Sequence, residues 1–419
     1  MTELMIESVG ARGDGIASDD NGPVYVPYTV PGDRVRVRLG GKRGEGRAAE
    51  LLEVLSPGPG RTKPVCRHFG RCGGCALQHL ADEPYADWNR EQVTTALHRR
   101  GFMHVDVRPV VRTPPGGRRR ADVALLLRRD GRAVVGYHER ASHHVIDVTE
   151  CPVLDPALVA LLEPLRALSA EVLRPGKRAS AVATVTDAGV DLLLDPGRAL
   201  DLAAREALAA FAEETDLARL SARDTDAGFI DPVARRRPAI HRFAGVAVEP
   251  PPGGFLQASP AAEAALSTVA VETMAGAARI LDLFSGCGTF TFPLADKAAV
   301  HAVDGDKDLI AALQSAADKA MRNTVTTEVR DLFRRPYLAD ELNRFDAVLF
   351  DPPRAGAKTQ AAQLAASAVP VVVGVSCNPA TFARDARLLA DGGYRLTDVT
   401  PIDQFLWSPH VELVGIFRR

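Results

Sequence analysis

At 419 residues the chain has room for about two or three domains. Its 46% hydrophobic and 25% charged residues exclude a disordered, fibrous or membrane-embedded class, and a formal net charge of −2 excludes a uniformly basic polyanion binder. No apolar run approaches the ~18–20 residues that span a bilayer, and the opening MTELMIESVG lacks the basic and apolar regions of a signal peptide, so a cytoplasmic protein without a membrane partner is expected.

Residues 1–56 read as a small β domain. Gly10, Gly13, Gly15 and Gly22 punctuate short runs such as Val24-Tyr25-Val26-Pro27, and Pro31-Gly32-Asp33 marks a tight turn. Strict alternation follows in Arg34-Val35-Arg36-Val37-Arg38-Leu39, which puts arginines on one strand face and apolar side chains on the other. Arg34 to Arg47 holds six basic residues against one acidic, a local net of +5. A small barrel with such a face suits a reader of RNA backbone; a solvated edge strand whose charges block edge pairing fits the same pattern.

After the linker Ser56-Pro57-Gly58-Pro59-Gly60, Cys66, Cys72 and Cys75 fall in a C-x5-C-x2-C pattern among Gly70, Gly73 and Gly74, and Cys151 follows just before Pro152. Four thiolates suit tetrahedral zinc or an iron–sulfur cluster. One C-x2-C knuckle instead of two, with a lone fourth cysteine before a proline, leans toward a cluster. A disulfide is disfavoured in a cytoplasmic chain. His68 and His79 read as bystanders. Helical patterning runs from Trp88 to Arg100, and from Arg99 to Glu150 eleven arginines face six acidic residues, a net of +5. That stripe, including Arg118-Arg119-Arg120 beside the strand Val123–Leu127, is able to hold phosphates, although charge runs are commonly plain solvated surface. Residues 153–250 continue as strands (Val182–Val185, Leu192–Leu194) and alanine-rich helices, with Arg235-Arg236-Arg237 as one further basic spot.

Pro250-Pro251-Pro252-Gly253-Gly254 marks the next boundary, and Pro260 opens a helix at its favoured first position. The strand Ile280–Phe284 then runs into Ser285-Gly286-Cys287-Gly288-Thr289, where glycines let the backbone turn sharply and approach a ligand. Val300–Asp304 is a second strand ending in a carboxylate, about 20 residues past the glycines, where a nucleoside ribose is bound in doubly wound folds. Val329-Arg330-Asp331 ends a third strand. Phe345–Phe350 enters the proline-stiffened Asp351-Pro352-Pro353-Arg354, and Val371–Ser376 presents Cys377 at its tip. Strand and helix alternate as in a parallel α/β sheet, and the candidate polar groups gather at one edge of it.

LDLFSGCGTF, AVDGD, FDAVLFDPPRAG, VSCNPATFARD and HVE, in this order, resemble the RNA uracil-5-methyltransferase family, which makes 5-methyluridine in ribosomal and transfer RNA. The resemblance runs nearly end to end. It implies an α/β chain in three parts: a TRAM-type, OB-like β-barrel that binds RNA (1–56), a central α+β iron–sulfur domain (61–250), and a Rossmann-like S-adenosylmethionine-dependent catalytic domain (253–419). It implies a 4Fe–4S cluster on Cys66, Cys72, Cys75 and Cys151, carried by the 23S ribosomal RNA branch and usually absent from the transfer RNA branch. By the same carry-over Cys377 is the nucleophile and Glu412 the base, while Gln257, Phe284, Gly286, Thr289, Asp304, Asp331 and Asp351 hold S-adenosylmethionine. Cys287, inside the glycine turn, is read as packing, and His410 as orienting its loop. The implied partner is RNA, 23S ribosomal RNA first and transfer RNA second, and the implied state is a monomer.

The chain departs from the family pattern in three places. Ser259 stands where asparagine is usual, Asp304 is shorter than the commoner glutamate, and Leu406-Trp407-Ser408-Pro409 replaces Pro-x-Thr, so Trp407 is expected to reshape the uracil pocket. Two other classes stay open on the sequence: a methyltransferase acting on an amine of RNA or protein, which needs no thiol, and a non-catalytic RNA-binding or iron–sulfur assembly protein.

Overall fold

The computed structural model describes residues 1–223 and 228–419. The N-terminal segment forms a six-stranded sheet whose spatial order is Thr2–Met5, Arg34–Arg43, Gly46–Ser56, Gly22–Pro27, Asp14–Asp19 and Ser8–Val9. Period-two alternation turns Val35 and Val37 inward, where they meet Ile6, Val24 and Val26 in a small core. The arginine face is largely engaged within the sheet. Arg36 pairs with Glu53 at 2.5 Å and Glu3 at 3.3 Å, and Arg38 with Glu50 at 2.7 Å. Glu3, Glu50 and Glu53 lie on neighbouring strands, so a charge count along one strand overstates the field of this face.

A seven-stranded sheet follows, from Val145–Asp147 at one edge through Ala133–His138, Arg120–Leu127, Arg178–Thr186, Gly189–Asp195 and Arg219–Arg223 to Ile230–Arg235. Helices Leu162–Val172 and Leu202–Glu214 pack on it side by side.

The third sheet has eight strands in the order Val325–Val329, Ala299–Asp304, Arg279–Leu283, Ala347–Phe350, Val371–Ser376, Glu412–Arg418, Arg395–Ile402 and Asp106–Val107. The first five are parallel, and Glu412–Arg418 is inserted antiparallel between Val371–Ser376 and Arg395–Ile402. Ile280, Leu281, Leu283, Val348, Leu349, Val372 and Val373 are all buried, because central parallel strands are covered on both faces and read as unbroken apolar runs. Among the described residues no helix is long and apolar enough to cross a membrane.

Asp106–Val107 joins this sheet from far upstream, pairing with Asp398 and Val399. The helix before it, Asp82–His98, begins six residues ahead of the expected Trp88, since Pro84 falls in its first turn, where a missing N–H costs nothing. Its Tyr85, Trp88, Val93 and Leu97 share one core with Phe382 and Leu389. The Tyr85 hydroxyl donates to Asp403 Oδ1 at 2.7 Å and accepts from the Trp407 amide at 2.7 Å.

Arg119 joins the middle sheet to the third. Its side chain is 4% exposed; Nε donates to the Gln257 carbonyl at 2.9 Å, and the guanidinium bonds His241 at 3.2 Å and forms an ion pair with Glu263. Removing one partner of a buried pair leaves the other charge uncompensated, a loss of about 3–5 kcal/mol. Arg119→Met is therefore expected to lower the thermal midpoint of unfolding clearly, and a wild-type midpoint in a melt followed by circular dichroism would count against this account.

Candidate active site

At the carboxyl ends of the parallel strands the chain turns through Phe284 (φ 62°), Gly286 (φ 56°) and Gly288 (φ 109°). A left-handed phenylalanine is strained, and such strain persists where the surroundings over-determine it. A β-carbon at Gly288 would lie 2.5 Å from the Phe292 ring, whereas one at Gly286 would meet nothing within 4 Å, so the turn is packed behind and open in front. The Gly286 amide donates to Asp304 Oδ2 at 2.9 Å and the Asp306 amide to Oδ1 at 2.8 Å, fixing the carboxylate at the end of the next strand.

These groups line a cavity of about 550 Å³. Gln257, Phe284, Gly286, Thr289, Asp304 and Asp331 lie along it, and Asp351, Cys377 and Glu412 complete it. All nine residues singled out in the sequence for catalysis or cofactor binding thus face one space. Asp331 sits two residues past its strand, Val325–Val329, in a turn where Oδ1 accepts from the Phe333 amide at 3.0 Å. The Phe333 ring lies 5.5 Å from that of Phe284, centroid to centroid. Phe333 carried no sequence signal, because nothing local marks an exposed aromatic as part of a wall.

Cys377 directly follows the strand Val371–Ser376, and the next residue, Asn378, caps the helix Pro379–Asp391 by accepting from the Ala380 amide at 3.1 Å. Burial pushes the Cys377 thiol up to about 11, with the carboxylates of Glu412 and Asp351 adding and Arg354 opposing. Burial also lifts Asp351 to about 7, opposed by its hydrogen bond from Gln257. Glu412 is raised well above the usual carboxylate range by burial and then by Asp351, with Gln404 opposing. A chain of amides links the two carboxylates. Gln257 Nε2 donates to Asp351 Oδ2 at 3.0 Å, and Gln404 Nε2 donates to Gln257 Oε1 at 2.8 Å and to Glu412 Oε2 at 2.9 Å. Sequence reasoning passed over Gln404, which lies 147 residues from Gln257.

The loop from Phe405 to Val411 carries Glu412. The Trp407 carbonyl accepts from the amides of Ala76 at 2.8 Å and Leu77 at 3.0 Å. Trp407 packs against the core beneath the helix Asp82–His98, and Phe405 faces the cavity in its place. The expectation that Trp407 reshapes the pocket thus passes to Phe405. Arg354 donates to His410 Nδ1 at 3.2 Å, holding the residue two before Glu412. Ser259 is buried with its Oγ unpartnered and touches the N-terminus of the helix Pro260–Thr273 instead of the cavity lining.

Cys66, Cys72, Cys75 and Cys151 line a second cavity, about 360 Å³ in volume, whose wall also includes Phe405, Leu406 and His410. The His68 amide lies 3.4 Å from Cys66 Sγ and the Gly74 amide 3.4 Å from Cys72 Sγ, both as donors. Burial raises Cys72 and Cys151 and pushes Cys75 up to about 12. Among the described residues no three His, Cys, Asp or Glu side chains form a group that could hold a metal ion. The four thiols line one space, with backbone amides directed at the sulfurs of Cys66 and Cys72. His79 is buried and bonds the Thr29 carbonyl at 3.1 Å, and Cys287 is 1% exposed in the core.

A family described as tRNA (uracil-5-)-methyltransferase matches residues 249–419. An uncharacterized RNA methyltransferase of Caulobacter vibrioides is 45% identical over 100% of both chains. The 23S rRNA (uracil(1939)-C(5))-methyltransferase RlmD of Alkalilimnicola ehrlichii is 34% identical over 100% of this chain and 96% of its own. Among solved structures, the Pyrococcus abyssi tRNA (uracil-54, C5)-methyltransferase in complex with S-adenosyl-L-homocysteine superposes with a TM-score of 0.76 at 24% identity, covering 99% of this chain and 100% of that one. With full-length identity of this order and the glycine turn, Asp351 loop and Cys377 on one cavity, the chain belongs to the RNA uracil-5-methyltransferase family of S-adenosylmethionine-dependent transferases.

Proposed function

We propose that the protein methylates C5 of one uridine in 23S ribosomal RNA through a covalent adduct on Cys377. The observation that carries this reading is the position of Cys377 between two cavities. On one side lies the cavity of the glycine turn. On the other is a space of about 740 Å³ bounded by Arg99, Arg100, Arg354, Asn378 and His410. A uridine entering from the basic side meets the thiol with the cofactor behind it. S-adenosylmethionine, when bound, supplies an electrophilic methyl group. Gln257, Phe284, Gly286, Thr289, Asp304, Asp331 and Asp351 are the residues assigned to hold it, Asp304 toward the ribose.

C5 of uracil is a weak nucleophile until a group adds at C6. The Cys377 thiolate forms the C6–S bond, and the electron pair displaced toward C5 makes that carbon nucleophilic. Once C5 carries the methyl, Glu412 removes the C5 proton, the C5–C6 double bond re-forms and the thiolate leaves. The target base must leave its stack to reach Cys377. Cys66, Cys72, Cys75 and Cys151 are assigned to a 4Fe–4S cluster whose role is to brace the loop bearing Glu412, since the methyl transfer itself needs no electron. The N-terminal sheet is assigned to RNA binding as a TRAM-type element.

Because burial holds the free Cys377 thiol near 11, its thiolate fraction grows with pH. Below that value the rate of adduct formation on excess RNA is expected to rise about tenfold per pH unit. A flat rate between pH 7 and 9 would show that the thiolate fraction of Cys377 does not set the rate there. The functional test uses protein purified without oxygen, incubated with S-adenosylmethionine and either unmodified ribosomal RNA or transfer RNA, with nucleosides read by mass spectrometry. 5-Methyluridine in ribosomal RNA alone is expected. Its appearance only in transfer RNA moves the substrate, and a different methylated nucleoside removes the mechanism.

A further inference from the structure

We propose that Gln404 is a positioning residue for the proton-abstraction step: it holds the Glu412 carboxylate in place and ties it, through Gln257, to the cofactor side of the cavity. This rests on Glu412 being the base. Gln404 is 3% exposed and belongs to none of the motifs that mark the chain's chemistry. Its amide nitrogen carries two N–H bonds. One goes to Gln257 Oε1 at 2.8 Å and the other to Glu412 Oε2 at 2.9 Å. Turning the amide over would set its oxygen against Gln257 Oε1 and against an ionised Glu412, so this orientation is the one that serves the carboxylate form.

With its own oxygen engaged, Gln257 must in turn direct Nε2 at Asp351, where it donates at 3.0 Å. Each end of the relay therefore delivers an N–H to a carboxylate, Asp351 at one end and Glu412 at the other. The oxygen of Gln404 is left buried without a partner, a desolvation cost that a residue serving only to fill space would not carry. Two groups face Glu412 from neighbouring elements. Asp351, from the loop after Ala347–Phe350, disfavours its ionised form, while Cys377, from the loop after Val371–Ser376, is itself raised by the Glu412 carboxylate. The Gln404 donor opposes them. Arg354 acts on Cys377 instead.

Gln404→Met removes both donors at nearly constant length. Loss of a donor to the charged form raises the base's pKa, so a smaller fraction is ionised at a given pH and activity recovers as pH rises. Turnover is expected to fall about 10–100-fold, within the ~10²–10⁴-fold that a general base contributes, with the KM for RNA little changed. A protein–RNA adduct resistant to denaturant should accumulate in the presence of S-adenosylmethionine. The acidic limb of the single-turnover profile should move upward by about one pH unit, a tenfold loss on that limb.

Glu412→Gln serves as the reference and should trap the adduct at every pH. If Glu412→Gln turns over normally, the base assignment itself falls. If it traps the adduct while Gln404→Met keeps the wild-type limb and no adduct, the role of Gln404 falls alone. Should Gln404→Met fail to fold, Gln404→Glu keeps the shape and exchanges the donor for a third carboxyl. It is expected to move the limb further up, and a wild-type limb in a variant that still binds S-adenosylhomocysteine overturns the proposal.

Discussion

Cys377→Ala is expected to abolish uridine methylation, by about 10⁴-fold or more, while the affinity for S-adenosylhomocysteine stays close to that of the wild type. Removing a covalent nucleophile eliminates the step that the other groups assist, so losses of this size are typical. The cofactor side is held by other elements: the turn at Gly286 is fixed to Asp304 and the Gln257 amide to Asp351. Binding and chemistry should therefore separate cleanly. RNA carrying 5-fluorouridine gives a second readout. With no C5 proton to remove, the wild-type enzyme should remain bonded to it, and Cys377→Ala should form no adduct. Near-normal methylation by the variant would return the site to an amine-directed chemistry.

Gly288→Ala is expected to cost both stability and cofactor binding. The residue has φ 109°, outside what an L side chain adopts readily, a strain of about 1–3 kcal/mol. The added carbon would lie 2.5 Å from the buried Phe292 ring, and overpacking adds a further ~1–3 kcal/mol. Relief of either strain moves the turn that presents Gly286 to the cavity. Even 1.4 kcal/mol of misplacement corresponds to about tenfold in affinity, so calorimetry with S-adenosylhomocysteine should show at least that loss together with a lower thermal midpoint. Gly41→Ala is the control: its β-carbon would meet nothing within 4 Å, and no change is expected. Equal behaviour of the two variants would remove the argument from backbone strain.

What the sequence disclosed follows the range of the interactions involved. The strands Arg279–Leu283, Ala299–Asp304, Ala347–Phe350 and Val371–Ser376 were legible because a strand covered on both faces writes itself as an apolar run. Their polar end residues were legible because parallel strands end at a common edge. The convergence of Cys377, Asp351 and Glu412 needed the family pattern, since no local rule brings a residue on the inserted antiparallel strand beside the parallel ones. The docking of the helix Asp82–His98 beneath Trp407 was hidden for the same reason: its anchor, Tyr85 to Asp403, spans 318 residues. Charge patterning misled where pairing partners lay on other strands. Arg36 and Arg38 read as a free cationic face but meet glutamates across the sheet. Arg119 read as part of a phosphate stripe but is sunk against Glu263 and the Gln257 carbonyl.

The insertion of Glu412–Arg418 between two strands that precede it in the chain also bears on how the enzyme comes into being. Until that segment arrives, Val371–Ser376 and Arg395–Ile402 each present an unpaired edge, the kind of template on which nascent chains adhere to one another. The glycine turn and its aspartate make their own hydrogen bonds without it. Glu412 is the first residue of the inserted strand, so the residue proposed as the base takes its place in the cavity only when that strand has paired with both neighbours.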